Sequence, residues 1–241
     1  MGNTILKRSF DILFAATLLL LISPLFLLIC LILLITEKGK VFYFQDRMGK
    51  GGKPFRIWKF TTMVEGSEKM GNGTITLRND WRVTRVGHIL RLSKLNEFPQ
   101  LINVLKGDMS VVGPRPLVPA DFAHYSEEAK KAIGKVKPGL TGAGSIVFRD
   151  EQYFVTYAGQ EPKQFYKNII MPYKGEVEKW YSEHHNFIND LKLIWLTAIS
   201  IIHPTNLFVH KWFKHFPPRP EELTYKWLRA QMEQTEGQGQ E

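Results

Sequence analysis

The chain has 241 residues, 44% of them hydrophobic, with a formal net charge of +9 and one cysteine. That length supports one buried core plus a small appendage and excludes a string of independent domains. The lone Cys30 excludes an internal disulfide and a cysteine-based metal cage, and fits a reducing compartment. The positive surplus asks for an anionic partner: nucleic acid, an anionic membrane surface or a phosphorylated substrate.

Residues 12–35 carry no charge and are dominated by Leu and Ile, interrupted by Thr17, Ser23 and Pro24. That is the length of a membrane helix. The run is too long for a secretory signal and no small-residue cleavage site follows it; Leu6 stands where a myristoylation motif needs Ser or Thr. Lys7 and Arg8 precede the run, and Lys38, Lys40, Arg47, Lys50 and Lys53 follow it, so both ends read as cytoplasmic. Pro24 removes a backbone donor and bends a helix, while the Ser23 hydroxyl can satisfy the carbonyl it frees. Two readings follow: a re-entrant helix, or a spanning one with a tolerated proline.

Residues 41–45 and 55–60 are β-prone runs around "MGKGGKP", which predicts a small hairpin turned by Gly49, Gly51 and Gly52. Its Lys50 and Lys53 read as a solvated loop rather than a phosphate cradle. Residues 63–80 read as loop. Between 79 and 95, Val83, Val86, Ile89 and Leu90 recur at helical spacing, accompanied by Arg82, Arg85 and Arg91. These arginines suit solvent, a lipid headgroup or a diphosphate. Pro99 is tolerable only in a first turn, so a helix should begin at Asn96 or Glu97, with Asn96 as N-cap, and end at Gly107. Beyond it, Arg115 is stiffened between Pro114 and Pro116, which presents a guanidinium at little entropic cost. A helix start, a carboxylate and nearby arginines are the parts of a phosphate-handling site.

Residues 127–134 predict a short basic helix. The apolar run 189–202, stopped by Pro204, is too short to span and reads as interfacial, with the aromatic and basic "HKWFKHF" after it. The histidines at 184, 185, 203, 210 and 215 have no zinc-site spacing. Residues 231–241 are polar and non-periodic, which predicts disorder.

"FDILFAATLLLLISPLFLLI", "FYFQDRMGKGGKPFRIWKFTTM", "DWRVTRVGHILRLSKLNEFPQLINVLKGDMSVVGPRPLV" and "VKPGLTGAGSIVFRD" together resemble the monotopic phosphoglycosyl transferases, in unbroken order from about residue 7 to 150. The resemblance implies a mainly α fold with a small β-hairpin. Residues 1–38 would be a re-entrant membrane helix kinked at Ser23-Pro24, residues 39–216 a cytosolic catalytic domain with interfacial amphipathic helices, and residues 217–241 a partly disordered tail. It implies transfer of a sugar 1-phosphate from a UDP-sugar to undecaprenyl phosphate, with release of UMP and Mg²⁺ as cofactor, at the cytoplasmic face of the bacterial inner membrane. Lys59, Arg82, Arg85 and Arg115 would bind phosphate, and Glu97 and Asp108 would hold the metal. Self-association is compatible with this reading. No nucleic-acid recognition motif is present, so nucleic acid is not expected as a partner.

The sequence departs from the family where the chemistry is carried. Asn96 stands at the position of the family's nucleophilic aspartate, beside the matching Glu97, and Thr61 replaces an arginine. An amide is a poor nucleophile and a weaker Mg²⁺ ligand than a carboxylate. Three accounts of Asn96 follow: Glu97 or Asp150 takes over as catalytic carboxylate; the lipid phosphate attacks directly; or the chain is an impaired member that serves as a membrane scaffold.

Overall fold

The computed structural model describes residues 2–73, 75–202 and 208–238. Helix α1, Gly2–Thr36, contains the whole apolar run and continues through Pro24. Proline cannot donate to the Leu20 carbonyl; Ser23 Oγ donates to that oxygen at 2.8 Å, so the serine replaces the lost bond. The expected break at Ser23-Pro24 is therefore no interruption of the helix. Residues Thr4–Thr36 are long and apolar enough to cross a membrane, and mid-helix leucines such as Leu20 and Leu21 are more than 70% exposed.

Both halves of α1 nevertheless pack on the rest of the chain. Near its start, Arg8 donates to the Val104 and Leu105 carbonyls at 2.7 and 2.8 Å. Buried Asp11 accepts from Ser110 Oγ and from the Val111 N–H, and Lys7 pairs with Asp190 at 2.5 Å. Toward its end, Phe26, Ile29, Cys30 and Leu33 pack with Phe42, Phe60 and Leu90.

The predicted hairpin forms from β1, Phe42–Met48, and β2, Pro54–Phe60, antiparallel with Tyr43 opposite Lys59 and Arg47 opposite Phe55. Strand alternation then sorts the side chains. Phe42, Phe44, Trp58 and Phe60 form one aromatic face against α1. Tyr43, Gln45, Arg47 and Lys59 lie on the other. Residues 63–73 and 75–80 are loop with one 3₁₀ turn, Ser67–Lys69. Helix α2, Arg85–Leu92, is capped by the Thr84 hydroxyl. Its Gly87 packs so tightly on Thr62 that a Cβ would fall 2.2 Å from the Thr62 carbonyl oxygen.

The helix expected to start at an Asn96 cap starts later. Leu95–Glu97 is a 3₁₀ turn entered through Lys94 at φ 60°, and α3 is Gln100–Lys106, with Pro99 at its N-cap and Gly107 at φ 91° closing it. Asn96 lies inside the turn and caps nothing, because Pro99, lacking an N–H, occupies the boundary where the first unpaired donors would be.

Strand β3, Ser110–Val112, pairs in parallel with β4, Gly139–Thr141, between which come α4, Pro119–Phe122, and α5, Glu127–Ile133. This second sheet was not legible beforehand: three-residue strands carry no usable alternation. Its glycines are steric necessities, since a Cβ on Gly142 would meet the Gly113 carbonyl oxygen at 2.1 Å and one on Gly113 the Lys137 oxygen at 2.3 Å. Helices α6, Ala143–Val147, α7, Glu151–Tyr157, α8, Pro162–Phe165, and α9, Met171–His184, follow, with a π-turn at Tyr166–Ile170. Helix α9 runs through the core, burying Val177, Trp180 and Tyr181.

Helix α10, Phe187–Ile202, buries Leu193 and Leu196 yet exposes Ile188, Leu191 and Trp195 on another face. Pro204 and His203 lie outside the described residues. Helix α11 is Phe208–Trp212; of "HKWFKHF", Phe213 and Phe216 pack edge-on against Trp180 rather than facing outward. Within the tail, α12, Tyr225–Gln238, seats Leu228 in the core and stacks Trp227 on Phe165, and residues 239–241 lie outside the described residues. The aromatic residues 225 and 227 supply the apolar area that the polar run after them lacks.

Candidate functional site

Three elements bring charge to one place. Alternation in β2 turns Lys59 away from the aromatic face, the 3₁₀ turn before α3 presents Glu97, and the Pro114-Arg115-Pro116 segment after β3 presents Arg115. Lys59 Nζ donates to Glu97 Oε1 at 3.2 Å, and an Arg115 terminal nitrogen donates to the same oxygen at 2.9 Å. Glu97 Oε2 has no partner among the described residues. Burial pushes the Glu97 carboxyl up, but Arg115, then Lys59 and Lys94, outweigh it and hold the group far below the usual carboxylate range. Glu97 is therefore ionised at any physiological pH. Burial brings Lys59 down to about 8, against the pull of Glu97 and with the push of Arg47 and Arg115.

Asn96 is buried beside Glu97, and its side chain makes no hydrogen bond among the described residues. Lys94 precedes it in the left-handed region, an uncommon conformation for a lysine. Asp150, just ahead of α7, accepts from the Tyr225 hydroxyl at 2.6 Å, and its charge and that of Arg149 reach Lys94. It stands at the rim of the cluster rather than in the Lys59–Glu97–Arg115 contact.

Three expected site residues stand elsewhere. Arg82 is buried with all its donors in use: two bonds to the Asp80 carboxylate at 2.9 and 2.6 Å, and others to the carbonyls of Ser67, Met70, Gly73 and Ile75. It ties down the 67–80 loop and has no donor left for a phosphate. Arg85 is the exposed first residue of α2. Asp108 follows the far end of α3, about 10 Å of helix from Glu97, where it accepts from Asn103 Nδ2 and pairs with Lys106 at 3.6 Å.

Sequence reasoning missed Arg47, Lys94 and Glu178. Arg47 lies on the Lys59 face of the hairpin, donates to the Pro116 carbonyl at 3.2 Å and to Gln45, and its charge reaches Glu97 and Arg115. The strand alternation alone could have found it. Glu178, from the middle of α9, accepts from the Arg115 N–H at 2.9 Å, a contact across 63 residues that no local pattern signals. The site is thus one ionised carboxylate inside four cations, Arg47, Lys59, Lys94 and Arg115, suited to gathering multiply charged phosphate groups.

Among the described residues no three acidic, histidine or cysteine side chains converge. Mg²⁺, however, is commonly held by one or two carboxylates together with substrate phosphates. Glu97, with an oxygen left open, and the Asn96 amide oxygen fit that sparse set; Asp108 does not join it.

The sequence profile of the bacterial sugar transferases matches residues 2–204. The chain is 41% identical over 164 residues to the exopolysaccharide production protein ExoY of Rhizobium meliloti (strain 1021), a match covering 62% of this chain and 72% of the relative. It is 44% identical over 148 residues to the UDP-glucose:undecaprenyl-phosphate glucose-1-phosphate transferase of Escherichia coli (strain K12), covering 60% of this chain but 31% of that protein. It is 39% identical over 144 residues to a UDP-N-acetylgalactosamine-undecaprenyl-phosphate N-acetylgalactosaminephosphotransferase of Aeromonas hydrophila, covering 59% and 34%. The matches thus span about a third of the last two relatives.

Proposed function

The chain belongs to the bacterial sugar transferase family, and we propose that it transfers a sugar 1-phosphate from a UDP-sugar to undecaprenyl phosphate, releasing UMP and starting a lipid-linked glycan. The observation that carries this reading is the grip of Arg115 and Lys59 on Glu97, inside a cationic face on a chain with an apolar membrane-length helix. The scaffold alternative has no support.

The two reactants bring three phosphate groups to one site, and Arg47, Lys59, Lys94 and Arg115 offset their repulsion. An oxygen of the lipid phosphate bonds to the phosphorus that carries the sugar; the bond from that phosphorus to the UMP oxygen breaks, and UMP leaves with the electron pair. Asn96 supplies no carboxylate, and Glu97, ionised and doubly paired, is a weak nucleophile. Direct attack by the lipid phosphate is the course this site favours over a covalent intermediate on Glu97 or Asp150. Mg²⁺, where bound by Glu97 and Asn96, would neutralise diphosphate charge.

Membrane attachment follows from α1, and several features support re-entry from the cytoplasmic face of the inner membrane. The helix is about 52 Å long if straight, its two halves dock on the same body, both its flanks are basic, and Pro24 allows a bend. The exposed stripe of Ile188, Leu191 and Trp195 on α10 and the exposed Trp81, Ile89 and Leu92 near α2 supply interfacial contact.

The test is UMP release by nanodisc-held protein given undecaprenyl phosphate, Mg²⁺ and a panel of UDP-sugars. Release with one sugar is expected; silence with every sugar, from the unmodified protein and from Asn96→Asp alike, overturns the reading.

A further inference from the structure

Glu178 is the buried carboxylate that the transfer reaction as described leaves unused. It is 1% exposed, at the centre of α9. Its Oε1 accepts from the backbone N–H of Arg115, and its Oε2 is buried with no partner among the described residues. The chain makes room for it: Gly144, in the first turn of α6, lies so close that a Cβ there would fall 2.1 Å from Glu178 Oε1. A side chain at 144 would have to push the carboxylate from its place on the Arg115 peptide. A buried carboxylate with a free oxygen is expensive as a purely structural group, because an apolar or amide side chain would fill the space without desolvating a charge.

What this carboxylate does hold is the peptide of Arg115, whose guanidinium grips Glu97 at 2.9 Å. We infer that Glu178 is a positioning residue of the transfer site: its carboxylate fixes the Arg115 peptide from behind, and through it sets where the guanidinium meets Glu97 and the substrate diphosphate. The inference rests on the proposed transfer reaction and adds to it a residue that acts through Arg115.

The groups facing Glu178 are few. Arg115 lies ahead of it, and Lys174 and Tyr181 share its helix. Tyr125, whose own hydroxyl is buried and unpartnered, comes from the segment between α4 and α5. Helix α6 contributes no titratable group, and α5 turns Ala129 and Ala132 inward. Lys174 is itself engaged by Glu151, so its charge is shared. Burial raises the Glu178 carboxyl to about 7, with the Arg115 N–H, Lys174 and the Arg115 charge pulling the other way. Protonation weakens a charge-assisted bond to an ordinary one, so the grip on the Arg115 peptide tightens as pH rises through neutrality.

The experiment compares unmodified protein with Glu178→Gln from pH 6 to 9, measuring UMP release and, separately, UDP binding by calorimetry with Mg²⁺ present. The ratio of unmodified to Glu178→Gln is expected to rise about fivefold, with its midpoint near pH 7, in UDP affinity and in kcat/KM. Dividing one protein by the other removes the titration of the lipid phosphate, common to both. A ratio flat with pH overturns the inference, because a merely structural group gives a constant offset. Should Glu178→Gln fail to fold, Glu178→Asp keeps the charge on a stem one carbon shorter; a raised KM for the UDP-sugar at an unchanged melting temperature is expected, and unchanged kinetics overturn the inference. UDP binding with the expected pH dependence but no turnover sinks the transfer reaction and leaves Glu178 as the residue that positions Arg115. Turnover with a flat ratio sinks only the role of Glu178. Absence of UDP binding in the unmodified protein sinks both.

Discussion

Replacing Arg115 by Met tests the centre of the site. The guanidinium nitrogen lies 2.9 Å from Glu97 Oε1. At an effective dielectric near 20, two unit charges at that distance attract by about 6 kcal/mol before desolvation. The Arg115 side chain is 37% exposed, so solvent screening and lost side-chain freedom reduce its net worth to the fold to about 1 kcal/mol or less. The melting temperature should therefore change little. Turnover should change far more, because a fixed cation facing charge that develops in the transition state is worth about 3–4 kcal/mol, or 10²- to 10³-fold in rate. Glu97 should respond as well: Arg115 is the strongest of the charges holding its carboxyl down, so removing it moves that carboxyl up toward its ordinary value. A depressed carboxylate stays ionised until low pH; a less depressed one protonates earlier as pH falls. The acid limb of the pH–rate profile should accordingly move to higher pH in Arg115→Met. The assay is UMP release against pH, with melting curves alongside. Loss of less than tenfold in kcat/KM, with the acid limb unmoved, would refute the assignment of Arg115 to the reacting phosphates.

Arg82→Met should act on the fold instead: it leaves Asp80 buried without its partner and frees four loop carbonyls, costing about 3–5 kcal/mol, seen as a lowered melting temperature and new protease cleavage within residues 63–80. An unchanged melt with weakened UDP binding would return Arg82 to the substrate. Asn96→Asp restores a carboxylate beside Glu97, so intact-mass analysis after incubation with UDP-sugar should find a phosphosugar adduct on the variant alone; an adduct on the unmodified protein would disprove direct attack. Tyr225→Phe removes the 2.6 Å bond to Asp150 and should cost about 1.5 kcal/mol, read by thermal melting. A melt identical to that of the unmodified protein would show that α12 does not anchor Asp150.

The parts of this molecule legible in its sequence are those set by local chemistry. An uninterrupted apolar run makes a membrane-length helix wherever it sits. Serine beside proline can repair the carbonyl that proline orphans, and it does. Glycines at 51 and 52 turn a hairpin, and Gly107 ends α3, all three at positive φ, which few residues tolerate. Of the site, Glu97 and Arg115 were nameable because short patterns mark them, a helix start and an arginine between prolines, while Lys59 came from the family resemblance. Arg82 was misread because a run of arginines looks alike whether its donors face phosphate or its own loop; only the folded loop, closing five residues' worth of polar groups around that guanidinium, decides which. The polar stretch after residue 230 lacks periodicity, yet it is helical because Tyr225, Trp227 and Leu228 just before it find a surface on α7 and α8. Asp108 left the site for a similar reason, as the length of α3 separates it from Glu97. Glu178 shows the limit most plainly: its partner is 63 residues away, and its cost and its use both arise from burial, which is a property of the assembled core and of no segment in it.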